Sequence, residues 1–505
     1  MLSGTQAGVR AAKLMLNGQS ALDAWTSAGN LQQSMKEVTY GSGPAIYFSG
    51  VLGSELNRVL AGATGSVMVT SPALKVDQPI QLPRGGITLD LGTSALTSAG
   101  ANPYMLRIEG IEGVVIRGGA LTSGSAGLLV SNSNQVRIEG MELRSLSSHG
   151  IVVTGSSGVV IRRNRLHGIS GAPIMLHRGT VSSVVEHNDI DSNLGPSNVT
   201  AGIVLTDREV DLTSSPSAIF GPDGYWVISQ PITSRLHPPH DNLIAYNRIM
   251  SNASSGIYVD GAVRNSVVFN TIAGNTKEGL CLDNGATANV VASNVIEQNG
   301  DRWGESDWVL TEDQVIAGGR LPDGTAAEKV PGISLDNAVY NIVFDNDVSH
   351  NFGGGIKMVR TGYFNLIGLN TVFSDNDGAS ASFHFFGIEL GATPGDGSSD
   401  EFDYTPSHGN LVFSNSIRGA HYSGIYFDSG SDQNDVFENT ILDATTWALE
   451  SVAVMANSSL NNLTNLPSRN IGSGLDPALL TIGQPVLDPS SKYAGLRITA
   501  HELRR

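Results

Sequence analysis

An Asn residue recurs at a nearly constant interval through most of this chain, and this repeat constrains the fold more than any other feature. Each of these residues ends a short run such as NLIAYN, NSVVFN or NLIGLN: Asn164, Asn188, Asn247, Asn270, Asn294, Asn346, Asn370, Asn415 and Asn439. Successive intervals are 24, 59, 23, 24, 52, 24, 45 and 24 residues. The base period is therefore 23–24 residues, with extra residues inserted three times.

One period holds three short runs: an N-x-V-x-x-N run, an N-x-I run and a G-I-x-V-D run. Apolar and polar residues alternate within them, as in strands that bury one face. A period of this length without a helical segment predicts one turn of a parallel β-solenoid. Stacked Asn side chains can hydrogen-bond along the axis of such a fold, so the Asn period needs no functional explanation. The 60 Gly residues and the charged fraction of only 15% fit many short strands joined by tight turns.

The two ends of the chain depart from the repeat. The first 65 residues contain GVRAAKLMLNGQSALDAW and LGSELNRVLAG, whose apolar residues have helical spacing. Solenoids need their open ends covered, so we predict a helical cap over residues 1–65. The parallel β-helix is predicted over 66–460, and 461–505 as a C-terminal tail or second cap.

The bulk composition limits the partners. A net charge of −17 argues against nucleic acid or an anionic membrane as the main partner. The single cysteine, Cys281, excludes an intramolecular disulfide and a multi-Cys metal site, and we interpret it as structural. No apolar run approaches the roughly 20 residues that span a bilayer. The start of the chain lacks a secretory signal, so either the protein stays in the cytoplasm or a signal has been removed.

The repeat over roughly residues 80–460 resembles the right-handed parallel β-helix superfamily, which includes pectate lyases, polygalacturonases and alginate-modifying enzymes. The resemblance implies an all-β fold, a right-handed parallel β-helix, and a carbohydrate substrate. It also implies a secreted or cell-envelope location. A homo-oligomer is an open alternative to a monomer.

Three G-I-x-V-D runs, GIYVD, GLCLD and GISLD, place Asp260, Asp283 and Asp336 at the fifth position of successive turns. The apolar second and fourth positions should point inward, so the third and fifth point outward. Equivalent residues on neighbouring strands lie about 4.8 Å apart, and like charges there destabilise a sheet. A bound cation, a shared proton, nearby Lys357 or a function must offset this repulsion. The alternative is that these carboxylates accept hydrogen bonds from turn amides, since Asp is common at strand ends.

Hydrolysis of a glycosidic bond needs two carboxyl groups, one of them an acid and the other a base or nucleophile. Carboxyls on adjacent turns are about 5 Å apart, as in retaining glycosidases, and those two turns apart reach the upper end of the inverting range. We therefore predict a glycoside hydrolase that needs no metal and no cofactor. Its catalytic candidates are Asp260, Asp283, Asp336 and Glu389.

The three insertions, near 207–241, 298–331 and 377–409, adjoin the turns that carry these acids. Long loops in a compact repeat are usually functional or disordered, and aromatic rings on them can stack against sugars. The alternative is that the rings pack the loops onto the solenoid. The predicted substrate-binding residues are Tyr258, Lys357, Arg360, Asp207, Trp226, His240, Trp303 and Trp308.

A rival interpretation is β-elimination by a polysaccharide lyase. The resemblance to pectate lyases implies that Asp260, Asp283 and Asp336 of this chain would hold Ca²⁺, a cation that prefers oxygen ligands. Lys357 would then remove the proton next to a uronate carboxyl. A uronate groove should be rich in Lys and Arg, and Lys357 is the one cation in the predicted column, which counts against this interpretation.

Two further alternatives remain. HPPHD at 237–241 resembles the D-P-H-D motif of mannuronan C5-epimerases, but Pro238 replaces the leading Asp, which puts that assignment in doubt. His237 and His240 would be acid/base groups or loop anchors. The other alternative is a non-catalytic solenoid that binds carbohydrate, or a phage-type spike.

Overall fold

The computed structural model describes the chain in a series of ranges. They are residues 45–98, 103–195, 197–208, 237–300, 330–351, 353–359, 362–374, 386–391, 407, 409–419, 423–427, 434–437, 439–442, 447–451 and 462–464. Two compact units divide at residues 271 and 272. We call the described residues 45–271 the N-terminal unit and 272–464 the C-terminal unit, and each is described by itself.

The regular elements in these ranges are short strands, one α-helix and a 3-10 turn at Asn198–Thr200. In chain order they are β1 (Ile46–Phe48), α1 (Gly53–Gly62), β2 (Ser66–Val69), β3 (Ala73–Val76), β4 (Ile80–Gln81), β5 (Thr88–Ser98), β6 (Tyr104–Glu109), β7 (Glu112–Thr122), β8 (Ala126–Ser131), β9 (Asn134–Glu139), β10 (Glu142–Arg144), β11 (Ile151–Thr154), β12 (Val160–Arg162), β13 (Arg165–His167), β14 (Ile174–His177), β15 (Val184–Glu186), β16 (Asp189–Asp191), β17 (Ile203–Thr206), β18 (Leu243–Ala245), β19 (Arg248–Met250), β20 (Ile257–Asp260), β21 (Ser266–Val268), β22 (Thr271–Ala273), β23 (Leu280–Asp283), β24 (Val290–Ala292), β25 (Val295–Glu297), β26 (Ile333–Asp336), β27 (Ile342–Phe344), β28 (Asp347–Ser349), β29 (Ile356–Val359), β30 (Leu366–Gly368), β31 (Thr371–Ser374), β32 (Phe386–Leu390), β33 (Leu411–Phe413), β34 (Ser416–Gly419), β35 (Ser423–Phe427), β36 (Asp435–Phe437), β37 (Thr440–Leu442), β38 (Trp447–Ser451) and β39 (Asn462–Thr464).

Each full turn of the repeat contributes three strands, and each strand pairs in parallel with its equivalent on the neighbouring turn. Thus β14 pairs with β17, β15 with β18 and β16 with β19. The first strand of each turn is the G-I-x-V-D run, and we call the surface built from these strands the first-strand face. The predicted all-β, right-handed parallel β-helix is confirmed.

Alternation along the first strands sets the interior of the solenoid. In β20 the second and fourth residues of the run, Ile257 and Val259, are fully buried. Their partners across the predicted insertion at 207–241 are Ile203 and Leu205 of β17, in unbroken register. The strands β23 and β26 likewise pair across residues 298–331. The insertions therefore leave the order of the turns intact, because the inward apolar residues fix the register.

The predicted Asn ladders are present in both units. In the N-terminal unit the Asn188 side-chain amide donates to Asn247 Oδ1 at 2.9 Å, and Asn247 donates to Asn270 Oδ1 at 3.0 Å. The same bond joins Asn346 to Asn370 at 2.9 Å in the C-terminal unit. The residue before each ladder Asn adopts a positive φ, even where it is bulky: Arg163, His187, Tyr246, Phe269, Ser293, Asp345, Leu369 and Ser414. The hydrogen bonds between successive Asn side chains along the axis compensate for that unfavourable backbone conformation.

Helix α1 buries Leu56 and Leu60, one helical turn apart, and Glu55 accepts from the backbone N–H groups of Val51 and Leu52 at its start. It is the one α-helix in the described ranges, and it lacks the length and apolar character needed to cross a membrane.

The predicted boundaries at residues 65 and 460 and the extent of the insertions stay predictions. The described elements add detail to them. Strand β1 precedes α1 and pairs with β2, while β32 lies within the predicted insertion 377–409. Strand β39 lies within the predicted tail and pairs with β36.

Candidate active site

The first-strand face of the N-terminal unit carries a buried polar cluster at its fifth position. His177, Thr206 and Asp260 are paired residue to residue on β14, β17 and β20. The Asp260 side chain has no exposed surface, and its Oδ2 lies 2.6 Å from Arg208 Nε. Thr206 Oγ1 donates to the same oxygen at 2.6 Å. The Asp260 charge is therefore balanced by a guanidinium group inside the protein.

His177 holds the backbone at Arg208. Its Nε2 lies 2.7 Å from the Arg208 carbonyl oxygen, which can only accept, so Nε2 carries the proton. Nδ1 then accepts from Thr154 Oγ1 at 3.1 Å. Burial lowers the pKa of His177, while the hydrogen bond to the Arg208 carbonyl opposes that shift. A neutral imidazole with both nitrogens engaged is suited to positioning Arg208.

These contacts differ from the expectation that Asp260 points out toward a substrate. A carboxylate with no solvent access and an Arg partner serves best as an anchor for that Arg. Tyr258, at the third position, is also buried, and its hydroxyl lies 3.5 Å from an Arg208 Nη. Asp207 is buried too, and its backbone carbonyl accepts from Arg178 Nε at 2.9 Å. Catalytic and binding roles for these residues stay predictions.

His240 belongs to an ion-pair cluster on a turn of the N-terminal unit. Its Nδ1 lies 2.7 Å from Asp241 Oδ2, and Arg264 grips Asp241 with two N–H donors at 2.9 and 2.7 Å. Burial raises the pKa of Asp241, but the hydrogen bonds from His240 and Arg264 outweigh it and lower that pKa to about 2. The HPPHD segment is thus tied to the next turn by Arg264.

The first-strand face of the C-terminal unit carries a second polar column. In the third position the register runs from Cys281 through Ser334, Lys357 and Glu389 to Tyr426. Lys357 Nζ lies 3.2 Å from Glu389 Oε2, and their side chains are 19% and 9% exposed.

Two carboxylates end neighbouring strands beside that column. Asp283 closes β23 and Asp336 closes β26, and the residues before them pair in register. Both are only partly covered, unlike the fully buried Asp260. Asp283 Oδ1 accepts from the Asn284 backbone N–H at 2.6 Å, so the turn-amide alternative holds for one of its oxygens.

Several predicted residues cannot be placed within these clusters. Arg360, Trp226, Trp303 and Trp308 lie outside the described residues. The expected proximity of Asp260 to Asp283 stays a prediction, because the two residues belong to different units. In the C-terminal unit the structure brings together Lys357 and Glu389, and it sets Asp283 and Asp336 on adjacent strands.

Sequence reasoning missed two features of these faces. Arg208 lies two residues after Thr206, the fifth position of its run, and Thr206 is in register with Asp260. The charge of Asp260 could therefore have pointed to a cation such as Arg208. Phe386 and Tyr426 stack with ring centroids 4.0 Å apart on β32 and β35. The G-I-x-V-D spacing gave no signal for that pair, because Phe386 precedes the Gly of its run.

The described ranges contain no group of three or more His, Cys, Asp or Glu side chains placed to hold a metal ion. The predicted absence of a cofactor stays a prediction, and so does the calcium alternative.

Comparisons with known proteins agree with the fold. A family model described as a right handed beta helix region matches residues 99–230, and one described as a periplasmic copper-binding protein (NosD) matches 240–382. No curated protein matches the sequence.

Among solved structures, the chain is similar to the A-module of the mannuronan C-5 epimerase AlgE4 of Azotobacter vinelandii. The TM-score is 0.50 and the identity 15%, over 83% of this chain and 97% of that one. It is also similar to DFA-IIIase of Arthrobacter chlorophenolicus A6 without its lid, with a TM-score of 0.46 and 11% identity over 84% and 99% of the two chains. At these identities the likeness shows the fold alone.

The paired parallel strands, the Asn ladders and these matches define a right-handed parallel β-helix protein. Each family model matches about a quarter of the chain, so the comparisons establish this fold for the chain.

Proposed function

We propose that this protein is a carbohydrate-active enzyme that hydrolyses a glycosidic bond on the first-strand face of its C-terminal unit. The observation that carries the proposal is the pair of carboxylates, Asp283 and Asp336, at the ends of adjacent in-register strands. The Lys357–Glu389 ion pair lies on the next two strands.

Equivalent residues on neighbouring strands are about 4.8 Å apart, close to the roughly 5–5.5 Å between the two carboxyl groups of retaining glycosidases, and this spacing supports a retaining mechanism. One carboxylate attacks the anomeric carbon while the other, protonated, gives its proton to the leaving oxygen. Water then attacks the anomeric carbon and breaks its bond to the first carboxylate, which is released, while the second carboxylate takes a proton from that water. Lys357, held by Glu389, supplies N–H donors to a substrate hydroxyl.

The substrate class receives support from the fold comparison. A module named as a mannuronan C-5 epimerase has a similar fold over 97% of its length, which agrees with a polymeric sugar as substrate. A polysaccharide substrate favours a secreted or cell-envelope location for this protein. The 15% identity between this chain and that module does not assign a reaction to this chain.

The second candidate is elimination or C5 epimerisation on a uronate polymer. The position of Lys357 in the third-position column favours it, because the side-chain amine, once it has lost its own proton, can accept the proton next to the uronate carboxyl. Under this candidate Asp283 and Asp336 would bind Ca²⁺ or the substrate.

Incubation with a panel of neutral and uronate polysaccharides separates the candidates. New reducing ends without the ultraviolet absorbance of an unsaturated uronate indicate hydrolysis, whereas that absorbance indicates elimination. A change in the NMR signature of the uronate without cleavage indicates epimerisation.

Asp283→Asn and Asp336→Asn should each lower kcat by about 10³-fold, since each removes one of the two acid/base groups. The matched control is Asp345→Asn, whose carboxylate accepts from the Ser293 hydroxyl at an exposed turn. Full activity in the double variant Asp283→Asn/Asp336→Asn would show that the active site lies elsewhere.

A further inference from the structure

An open groove of about 660 Å³ runs across several turns of the N-terminal unit, where the second strand of each turn meets the third. Its floor contains Gly92, Gly119 and Gly140, all with positive φ. No atom lies within 4 Å of the position that a Cβ would take on Gly140. At Gly140 the absence of a side chain therefore leaves open space along the groove.

At the end of the groove formed by the later turns, the lining meets a stack of aromatic rings. His187 lines the groove and stacks on Tyr246 at 5.1 Å with an interplanar angle of 9°. Tyr246 stacks in turn on Phe269 at 5.2 Å and 8°. Because the rings stack from turn to turn, Tyr246 covers one face of the His187 imidazole. On the preceding turn the equivalent position is Arg163, which lines the same groove as His187.

The walls of the groove are polar and electrically balanced. Glu142 lies 3.1 Å from His167 Nε2, a hydrogen bond that lowers the pKa of Glu142. Asp189 pairs with Arg248 at 2.6 Å. Arg165 is exposed beside them and lies 3.9 Å from Asp191. Paired charges offer hydrogen bonds in many directions but little net attraction for an ion.

We propose that this groove binds a neutral oligosaccharide chain, through residues that the proposed catalysis does not use. A sugar ring would place its C–H face on the imidazole of His187, and its hydroxyls would bond to the polar walls. The balanced charge disfavours an anionic glycan. An extended peptide fits poorly because floor strand β7 is already paired on both sides, with β5 and β9, and has no free edge for a further strand.

Affinity electrophoresis of the full chain through gels containing neutral polysaccharides (β-glucan, xylan, mannan and dextran) tests this proposal, with alginate and polygalacturonate as acidic probes. We expect retardation by at least one neutral polysaccharide and a loss of about tenfold or more in its association constant in His187→Ala. The matched control is Phe269→Ala, which removes a ring from the same stack away from the groove and should keep wild-type retardation.

The proposal is overturned by no retardation in any neutral gel, by equal retardation of His187→Ala and wild type, or by retardation in acidic gels only. Tighter binding of an unstructured peptide than of any sugar would also overturn it. Hydrolysis of short soluble substrates, measured in parallel, should be unchanged in His187→Ala. Failure of this binding site is therefore distinguishable from failure of the proposed catalysis.

Discussion

Arg208 and Asp260 form an ion pair with 2.6 Å between Nε and Oδ2, and the carboxylate has no exposed surface. Arg208 itself is only 16% exposed, and its backbone carbonyl is held by His177. An ion pair withdrawn from water stabilises a fold only while both partners are present. Its two members are far apart in sequence, so it fixes the end of β17 against the end of β20.

Asp260→Ala should lower the free energy of unfolding by about 3 kcal/mol, because it leaves the guanidinium of Arg208 largely buried without its partner. Denaturant unfolding measures this change. The exposed pair of Asp189 and Arg248 provides the control, and Asp189→Ala should cost less than about 1 kcal/mol. Equal losses in the two variants would contradict the role assigned to Asp260.

Stability should fall with acid because of His149. Burial lowers the pKa of His149 to about 4, and repulsion from His177 in its protonated form adds to this shift. Its Nδ1 accepts from the Ala172 N–H at 3.0 Å, and within the described structure its buried Nε2 has no hydrogen-bond partner.

The unfolded chain binds a proton at His149 below the ordinary histidine pKa of 6.5, whereas the folded protein does so only near 4. The stability is therefore fully present above 6.5 and declines as the pH falls toward 4, by about 3 kcal/mol in total. Urea unfolding across this range measures the slope. His149→Gln should lower the number of protons taken up on unfolding by about one, so the free energy of unfolding should depend less steeply on pH. An unchanged slope would contradict the role assigned to His149.

Asn370 is a central member of its ladder. It donates to the Val343 carbonyl and to Asn415 Oδ1, each at 3.0 Å, and accepts from the backbone and side-chain N–H groups of Asn346. Asn370→Ala should lower the free energy of unfolding by about 2–4 kcal/mol, because several buried groups lose partners together. Asn134→Ala, at an exposed residue with one hydrogen bond, is the control and should cost under about 1 kcal/mol.

Lys357→Met distinguishes the two candidate reactions. If Lys357 only holds a substrate hydroxyl during hydrolysis, KM should rise while kcat stays within about tenfold. If Lys357 is the base of an elimination, kcat should fall by about 10²–10⁴-fold. Steady-state kinetics on the preferred substrate measure both constants. The first result supports the proposed hydrolysis.

Removal of divalent cations gives an independent check. Hydrolysis by Asp283 and Asp336 needs no metal, so EDTA should leave activity unchanged. If these carboxylates hold Ca²⁺ in an elimination, EDTA should abolish activity and added Ca²⁺ should restore it. Enzyme assays with EDTA and after readdition of calcium follow this difference.

The solenoid was predictable because the residue pattern that produces it is local and recurs in every turn. The 23–24-residue period carries Gly, Asn and alternating apolar residues in every turn, so even bulky residues such as Tyr246 and Phe269 take the positive φ that the ladder requires. The third-position column in the C-terminal unit was also predictable, since parallel pairing carries Lys357 next to Glu389.

The environment of an individual side chain was not predictable in this way. Asp260 and Asp283 occupy the same position of the same motif, yet Asp260 is fully buried against Arg208 and Asp283 is partly exposed. Nothing in the motif distinguishes them, because the partner of Asp260 comes from a residue outside its own turn.

The sequence by itself determined the turn length, the inward apolar residues and the Asn ladders, because each depends on short-range periodicity repeated along the axis. Only the tertiary structure decided which outward carboxylates are buried and which stay open to solvent. Burial and ion pairing depend on residues brought together across insertions, such as Arg208 and Asp260, and no periodic pattern encodes those contacts.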